Sequence, residues 1–345
     1  MAALQRFAYS PTGSSLVLAD GAEVLVHAGD DESPRWRRAL DEEVAAVGAT
    51  DDAVVALTAS GKLAFWREAD GEPIGEVALA AAPGALAVGP GAVCAVALDE
   101  EVAVAGRDGA RRALPIAGAT ALAWSGDGGR IAAGNGEGRV QVLSAEDGAA
   151  IGSAELGVPV RSLAWNAGGF WIAAGGEQVF RLNEGGGEYA QMTRAPGMAP
   201  DWVACSADGA LVALRLGPTR VLALVLPSKD TAATVEYVDR EVVGIGFGPA
   251  PYLGIGLDRG DANKIDLRTQ AVHRTDPHPG RPRTRWLLSV SIDPTSLPPA
   301  HGAPPGAAAG GEGEPPLPAT HAAVQRAVAV ALAIVAVVIL LSRFG

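Results

Sequence analysis

Cysteine is nearly absent from this chain of 345 residues, with only Cys94 and Cys205 present. Two thiols 111 residues apart exclude a disulfide framework, and no Cys-x-x-Cys spacing exists for metal or redox chemistry. Histidine is almost as scarce, at five residues. His273 and His278 are five apart in a Pro-containing turn, so they share no helical face, and no carboxylates join them at metal-ligand spacing. Basic side chains are in the minority, 27 Lys and Arg against 39 Asp and Glu, for a net charge of −12. The imbalance sits in residues 1–110, which hold 18 acidic and 7 basic side chains. Such a surface repels phosphate backbones, so no nucleic-acid partner is expected there, and plain solvation accounts for it equally well. The first residues lack an apolar run behind a basic start, so no secretory leader is expected. Also missing are a Gly-x-Ser-x-Gly elbow, a phosphate loop and a dinucleotide fingerprint in strand-to-helix context. Long helical periodicity does not occur before the C-terminal end.

What is there is a repeat. Leu122-Ala-Trp-Ser-Gly-Asp-Gly128 is followed by Arg130-Ile-Ala-Ala-Gly, and Leu163-Ala-Trp-Asn-Ala-Gly-Gly169 by Phe170-Trp-Ile-Ala-Ala-Gly. Weaker copies are Phe7-Ala-Tyr-Ser-Pro-Thr-Gly13, Val203-Ala-Cys-Ser-Ala-Asp-Gly209 and Ile245-Gly-Phe-Gly-Pro. With Gly48 and Val88 filling the gaps, the anchors are Tyr9, Gly48, Val88, Trp124, Trp165, Cys205 and Phe247. They recur every 36 to 42 residues. A period near 40 with short alternating apolar runs bounded by Gly, Asp, Asn or Ser signals strands joined by tight hairpins. The fourth copy predicts strands over 120–124, 130–134, 139–143 and 150–154. Seven copies of four strands predict an all-β fold, a seven-bladed β-propeller of four-stranded blades over residues 1–293.

Two segments resemble the third strand and following turn of the WD40 family and its YVTN-like bacterial relatives. They are Gly138-Arg-Val-Gln-Val-Leu-Ser-Ala-Glu-Asp-Gly148 and Lys62-Leu-Ala-Phe-Trp-Arg-Glu-Ala-Asp-Gly71. The resemblance covers roughly residues 3–278. It is divergent: no repeat carries the Trp-Asp dipeptide or the Gly-His pair. It implies the propeller fold and a role in binding proteins, without naming the partner.

After the repeats, Trp286-Leu-Leu-Ser-Val-Ser-Ile292 alternates like one more strand, expected on the outermost strand of the last blade. Residues 294–321 shift to Pro, Gly and Ala, the composition of a disordered, semi-extended linker spanning roughly 30 Å as a coil. Ala327 to Leu341 is then fifteen apolar residues without a break. Alone it spans about 22 Å of helix against the ~30 Å hydrocarbon slab. Flanking apolar residues extend it, and Arg326 and Arg343 are placed to reach the two head-group layers. Residues 322–343 are therefore expected to form one transmembrane helix. With no leader seen, the propeller is expected at the cytoplasmic face.

Four oxygen-bearing residues, Asp258, Asp261, Asn263 and Asp266, form the densest candidate cation cluster. The EF-hand order and its bidentate Glu are missing, and a capped hairpin tip explains them as well. Trp124, Trp165 and Phe247 share one repeat phase and read as packing between blades. Trp36, Trp66 and Trp202 fall off that phase and are candidate interaction anchors if exposed. Arg281, Arg283 and Arg285 make the one basic patch, suited to an acidic partner or anionic lipid. The reading is a membrane-tethered, non-catalytic scaffold for protein–protein interactions, with no cofactor and no small-molecule ligand expected. The alternatives are a propeller hydrolase or lyase with a channel-bound metal, and an envelope-assembly or sensor module.

Overall fold

The computed structural model describes residues 5–275, apart from 29–30, 80, 167–170, 176, 184, 186–188, 195–198, 227 and 249–251, together with 289–292 and 297. Of 171–174, 192–194 and 289–292 the backbone alone is described. The chain divides into two units, Met1–Pro298 and Pro299–Gly345, and every described residue belongs to the first.

That unit is built of antiparallel sheets, each from consecutive strands. Sheet 1 is β1 (Phe7–Tyr9), β2 (Ser15–Asp20), β3 (Glu23–Ala28) and β4 (Trp36–Ala39). Sheet 2 is β5 (Val44–Ala49), β6 (Ala53–Thr58), β7 (Lys62–Arg67) and β8 (Pro73–Ala78). Sheet 3 is β9 (Leu86–Val88), β10 (Cys94–Ala97), β11 (Val102–Ala105) and β12 (Arg111–Leu114). Sheet 4 is β13 (Ala119–Trp124), β14 (Arg130–Asn135), β15 (Arg139–Ser144) and β16 (Ala150–Glu155). Sheet 5 is β17 (Ser162–Trp165), β18 (Trp171–Gly175), β19 (Gln178–Leu182) and β20 (Tyr189–Arg194). Sheet 6 begins with β21 (Pro200–Cys205), β22 (Leu211–Leu216), β23 (Arg220–Val225) and β24 (Thr231–Glu236). Sheet 7 is β25 (Val242–Phe247), β26 (Tyr252–Leu257), β27 (Ala262–Asp266) and β28 (Val272–Thr275). The strand β29 (Ser289–Ile292) pairs with β24, matching Val290 to Val235 and Ile292 to Ala233.

Two expectations are corrected here. The sheets are not seven four-stranded blades: six have four strands, and sheet 6 has five. The added strand joins sheet 6 and not the last sheet: it pairs along β24 from Ala233 to Glu236 and takes that edge out of solvent. Ala232, Ala233 and Val235 of β24 are wholly buried, whereas the outer strands β8, β12 and β16 alternate mostly exposed positions.

Local chemistry explains why the strands turn where they do. Between first and second strands a hydroxyl closes the hairpin: the Arg130 amide donates to Ser125 Oγ at 2.9 Å and that of Leu211 to Ser206 Oγ at 2.9 Å. The Ser206 hydroxyl in turn donates to Asp208 at 2.6 Å, and Thr50 to Asp52 at 2.7 Å. Gly128 and Gly209 complete these turns at φ of 72° and 71°, where a Cβ is disfavoured. This is the physical content of the Ser-x-Asp-Gly repeat.

The core lies between sheets. β6 is buried at all six positions because its alternating side chains serve two neighbours. Val54 and Ala56 pack with Val17, Val24 and Val26 of sheet 1. Val55 and Leu57 pack with Cys94 and Val96 of sheet 3. The innermost strands contact one another in the order β1, β5, β9, β13, β17, β21, β25 and back to β1, which closes a propeller ring.

Among the described residues no strand is exchanged between the first and last sheets. The Arg6 amide donates to the Val243 carbonyl at 3.2 Å and Gln5 Nε2 to that of Ile245 at 3.3 Å. Phe7, fully buried, fills a groove that exists because Gly244, Gly254 and Gly256 lack side chains. A Cβ on Gly256 would stand 2.5 Å from that of Phe7, and one on Gly254 would stand 2.1 Å from the Tyr9 ring.

Candidate functional site: the channel and its aromatic mouth

The innermost strands enclose a channel of about 740 Å³ that every sheet helps to line. Its wall is made of small residues, among them Ala8, Gly48, Ala87, Ala123, Ala164 and Gly246. The anchors of the sequence repeat prove to be the ends of these strands: Tyr9, Val88, Trp124, Trp165, Cys205 and Phe247 are each the last residue of theirs, and Gly48 is next to last. They therefore gather at one mouth, on the face carrying the turns between first and second strands. Here Tyr9, Trp124, Trp165 and Phe247 are half-buried.

Each of three rings leans on glycine in the preceding sheet. Trp124 donates its Nε1 hydrogen to the Ala87 carbonyl at 3.1 Å and lies where a Cβ on Gly89 would be 2.6 Å away. Trp165 lies over Gly126 in the same way, and Tyr9 over Gly254. These residues are inter-sheet packing, as the sequence predicts, and also the lining of the mouth, which the sequence reading missed. The common repeat phase was the available signal.

The mouth has a sign. Asp51 and Asp52 are exposed there. Asp51 accepts hydrogen bonds from the Thr12 amide at 3.0 Å and hydroxyl at 2.7 Å. Asp52 pairs with Arg107 at 3.1 Å, and the Thr50 hydroxyl, followed by Arg107, holds its carboxyl below the ordinary range. The Ser125 hydroxyl does the same for Asp127. The Cys205 thiol, by contrast, is pushed up to about 12 by burial, so it is no ready nucleophile. Arg161 and Gln5 line the other end.

The other sequence candidates are placed elsewhere. Trp36, Trp66 and Trp202 are only 7%, 6% and 5% exposed, so the condition on which they would serve as surface anchors is not met. Trp36 and Trp66 face each other between sheets 1 and 2 with ring centroids 6.5 Å apart. Trp36 donates to the Glu68 carbonyl at 2.7 Å. Trp202 stacks under Arg215, 4.9 Å from its ring, and Arg215 is paired with Asp201 at 2.7 Å. The oxygen cluster does not converge. Asp258 and Asp261 both pair with the buried Arg240, at 2.7 and 2.6 Å. Asn263 donates to the Tyr237 hydroxyl at 2.8 Å, and Asp266 caps its own turn through the Arg268 and Thr269 amides. The cation these oxygens serve is a guanidinium. Among the described residues no three His, Cys, Asp or Glu side chains are grouped to hold a metal. Among them, too, no helix is long and apolar enough to cross a membrane. Arg281, Arg283 and Arg285, the linker, and the anchor with Arg326, Ala327, Leu341 and Arg343 lie outside the described residues.

No family model and no curated protein matches the chain. Solved structures do. The β-propeller domain of Cps50 (Swd1) from Myceliophteria thermophila aligns with a TM-score of 0.64 at 14% identity, covering 79% of this chain and 96% of that one. A chain of the mitotic checkpoint complex aligns with a TM-score of 0.62 at 16% identity, covering 73% and 83%. The solved structures it resembles are WD40 β-propeller proteins, and at these identities the likeness is one of fold.

Proposed function

We propose that this chain is a non-catalytic scaffold that binds protein segments at the mouth of its propeller, tethered to a membrane by residues 322–343. The observation that carries the reading is the channel mouth itself, apolar and aromatic, framed by turns held rigid through their own hydroxyl–carboxylate bonds. A fixed concave surface with half-buried aromatic rings suits recognition, since little side-chain freedom is lost on binding. The similarity to WD40 propellers, one of them in a multi-protein complex, supports protein partners. Kinship with the YVTN-like bacterial branch rests on the third-strand motifs alone. The tether rests on the apolar run from Ala327 to Leu341, bracketed by Arg326 and Arg343. A tether would raise the effective concentration of the mouth near other membrane components.

The test is affinity capture from membranes, comparing the full chain with one ending at Asp293. Reproducible enrichment of a protein with the full chain, weakened without the tether, supports the reading. Enrichment of nothing by either bait refutes it. Alkaline carbonate extraction reports on the anchor, and protease accessibility in sealed vesicles reports which side the propeller faces.

A further inference from the structure

Sheet 6 differs from the other sheets in carrying a fifth strand, and that strand is separable from the ring. We propose that two copies of this chain exchange β29, each laying its residues 289–292 along β24 of the other, to form a two-fold symmetric dimer. This surface is the outer edge of one sheet and is independent of the channel mouth. The ladder itself is the first reason. It matches Ala233 to Ile292, Thr234 to Ser291, Val235 to Val290 and Glu236 to Ser289. Nothing in that register depends on which chain supplies β29. An exchanged ladder therefore has the same bonds, the condition under which swapping is a low-cost route to a dimer.

The ring can spare the strand. It is closed by the contact of β1 with β25, and β24 is already held by its pairing with β23. A ladder of four residues is short enough to open while the sheets behind it stay folded. The connection then favours a second copy. From Thr275, the end of β28, to Ser289 it has thirteen residues, 276–288, among them Pro277, Pro279 and Pro282. Proline-rich chain favours an extended course of about 3.1 Å per residue, so thirteen residues reach roughly 40 Å. Arg281, Arg283 and Arg285 repel one another and resist compaction of the same stretch. Sheets stack only ~10 Å apart. To serve the sheet next door within one chain, such a connection must give up most of its length, at an entropic cost that stiffness raises. Between two chains the same length is reach.

The experiment uses the full chain in detergent micelles, with a cysteine on each side of the ladder at the facing pair Thr234 and Ser291. Directly opposed residues stand about 4.5–5.5 Å apart, within disulfide reach. Thr234→Cys and Ser291→Cys are made on separate chains with different tags, co-expressed and oxidised. The expected result is a covalent dimer holding one chain of each tag. Either variant expressed alone should give none, which also controls for Cys94 and Cys205. A chain carrying both substitutions should link to a second copy and not within itself. Light scattering of the unsubstituted chain should count two chains per micelle. Val290→Pro with Ile292→Pro takes two donors from the strand and should lose the dimer, with the thermal unfolding transition of the ring retained. The proposal is overturned if the doubly substituted chain bridges only within itself, if no disulfide joins the two tags, or if the unsubstituted chain is single. A dimer that survives the two prolines is held elsewhere and overturns it as well. The scaffold reading fails separately: a single chain that still captures a protein from membranes removes the exchange and keeps the scaffold.

Discussion

Replacing Phe7 with alanine should open the ring at the joint between the first and last sheets. Phe7 is fully buried, and its ring occupies the groove over Gly244, Gly254 and Gly256. Those positions have no side chains that can swing in to fill the space, so the cavity should collapse poorly. The cost therefore belongs at the usual value for a deleted core phenylalanine, about 3–5 kcal/mol, a large part of the ~5–15 kcal/mol that stabilises a typical fold. Gly256→Ala attacks the same contact from the other side. Its Cβ would stand 2.5 Å from that of Phe7 and 2.8 Å from the ring, so overpacking should cost about 1–3 kcal/mol. With the ring gone its 2.8 Å contacts vanish and the cavity lets the remaining Cβ of residue 7 shift away from the new methyl, so the double variant should cost at least ~1 kcal/mol less than the sum of the singles. Urea unfolding of the four proteins measures the cycle. Hydrogen exchange at the Arg6 amide, bonded to the Val243 carbonyl, reads the joint directly and should lose protection in Phe7→Ala. Additivity of the two costs to within about 0.5 kcal/mol, or undiminished Arg6 protection, would refute the idea that these residues close the ring.

Three further outcomes are expected. His27 is fully buried with an unpaired Nε2, and burial lowers its pKa below the ordinary 6.5. Above 6.5 both folded and unfolded forms are neutral there. As pH falls below it the unfolded chain takes up a proton that the folded one refuses, so stability should drop until the folded pKa is passed. His27→Phe should flatten that stretch of the stability–pH curve. Lys229 and Gln270 sit at φ of 67° and 63° in the same five-residue turn that Gly71 and Gly148 occupy in sheets 2 and 4. Lys229→Gly and Gln270→Gly should each raise the urea midpoint, by roughly 0.5–1 kcal/mol in stability, and no gain would mean the strain is relieved elsewhere. The Cys205 thiol lines the channel but has its pKa pushed up to about 12, so iodoacetamide at neutral pH should label it far more slowly than a free thiol. Rapid labelling of the native protein would contradict that environment.

The ends of the strands were legible because the turns are chemically explicit. In sheet 4 the strands predicted from sequence fall within a residue of those found. The Gly48 anchor lies one residue early: Thr50 holds the hairpin position of Ser125 and Ser206, so Ala49 is the counterpart of Trp124 and Cys205, and an alanine there carries no signal of its own. The alternation of Val290 and Ile292 signalled a strand, but its partner β24 lies over fifty positions upstream, and the residues of β24 are no more apolar than those of the outer strands β8 and β16. Likewise the oxygens at Asp258 and Asp261 look like a cation site until Arg240, from the preceding loop, is set between them. Whether the off-phase tryptophans are exposed was not legible, because repeat phase reports position along a strand. It is silent on what the neighbouring sheet lays over that position, as Trp36 and Trp66 show by covering each other.

The pairing of β29 with β24 also decides how the ring would carry mechanical load. Tension arriving from the C-terminal side reaches Ile292 before it reaches Thr275, so the ladder from Ala233 to Glu236 bears it first. Until β29 peels away, the pull is delivered to sheet 6, and sheet 7, with the joint that Phe7 closes, stays outside the path of the force.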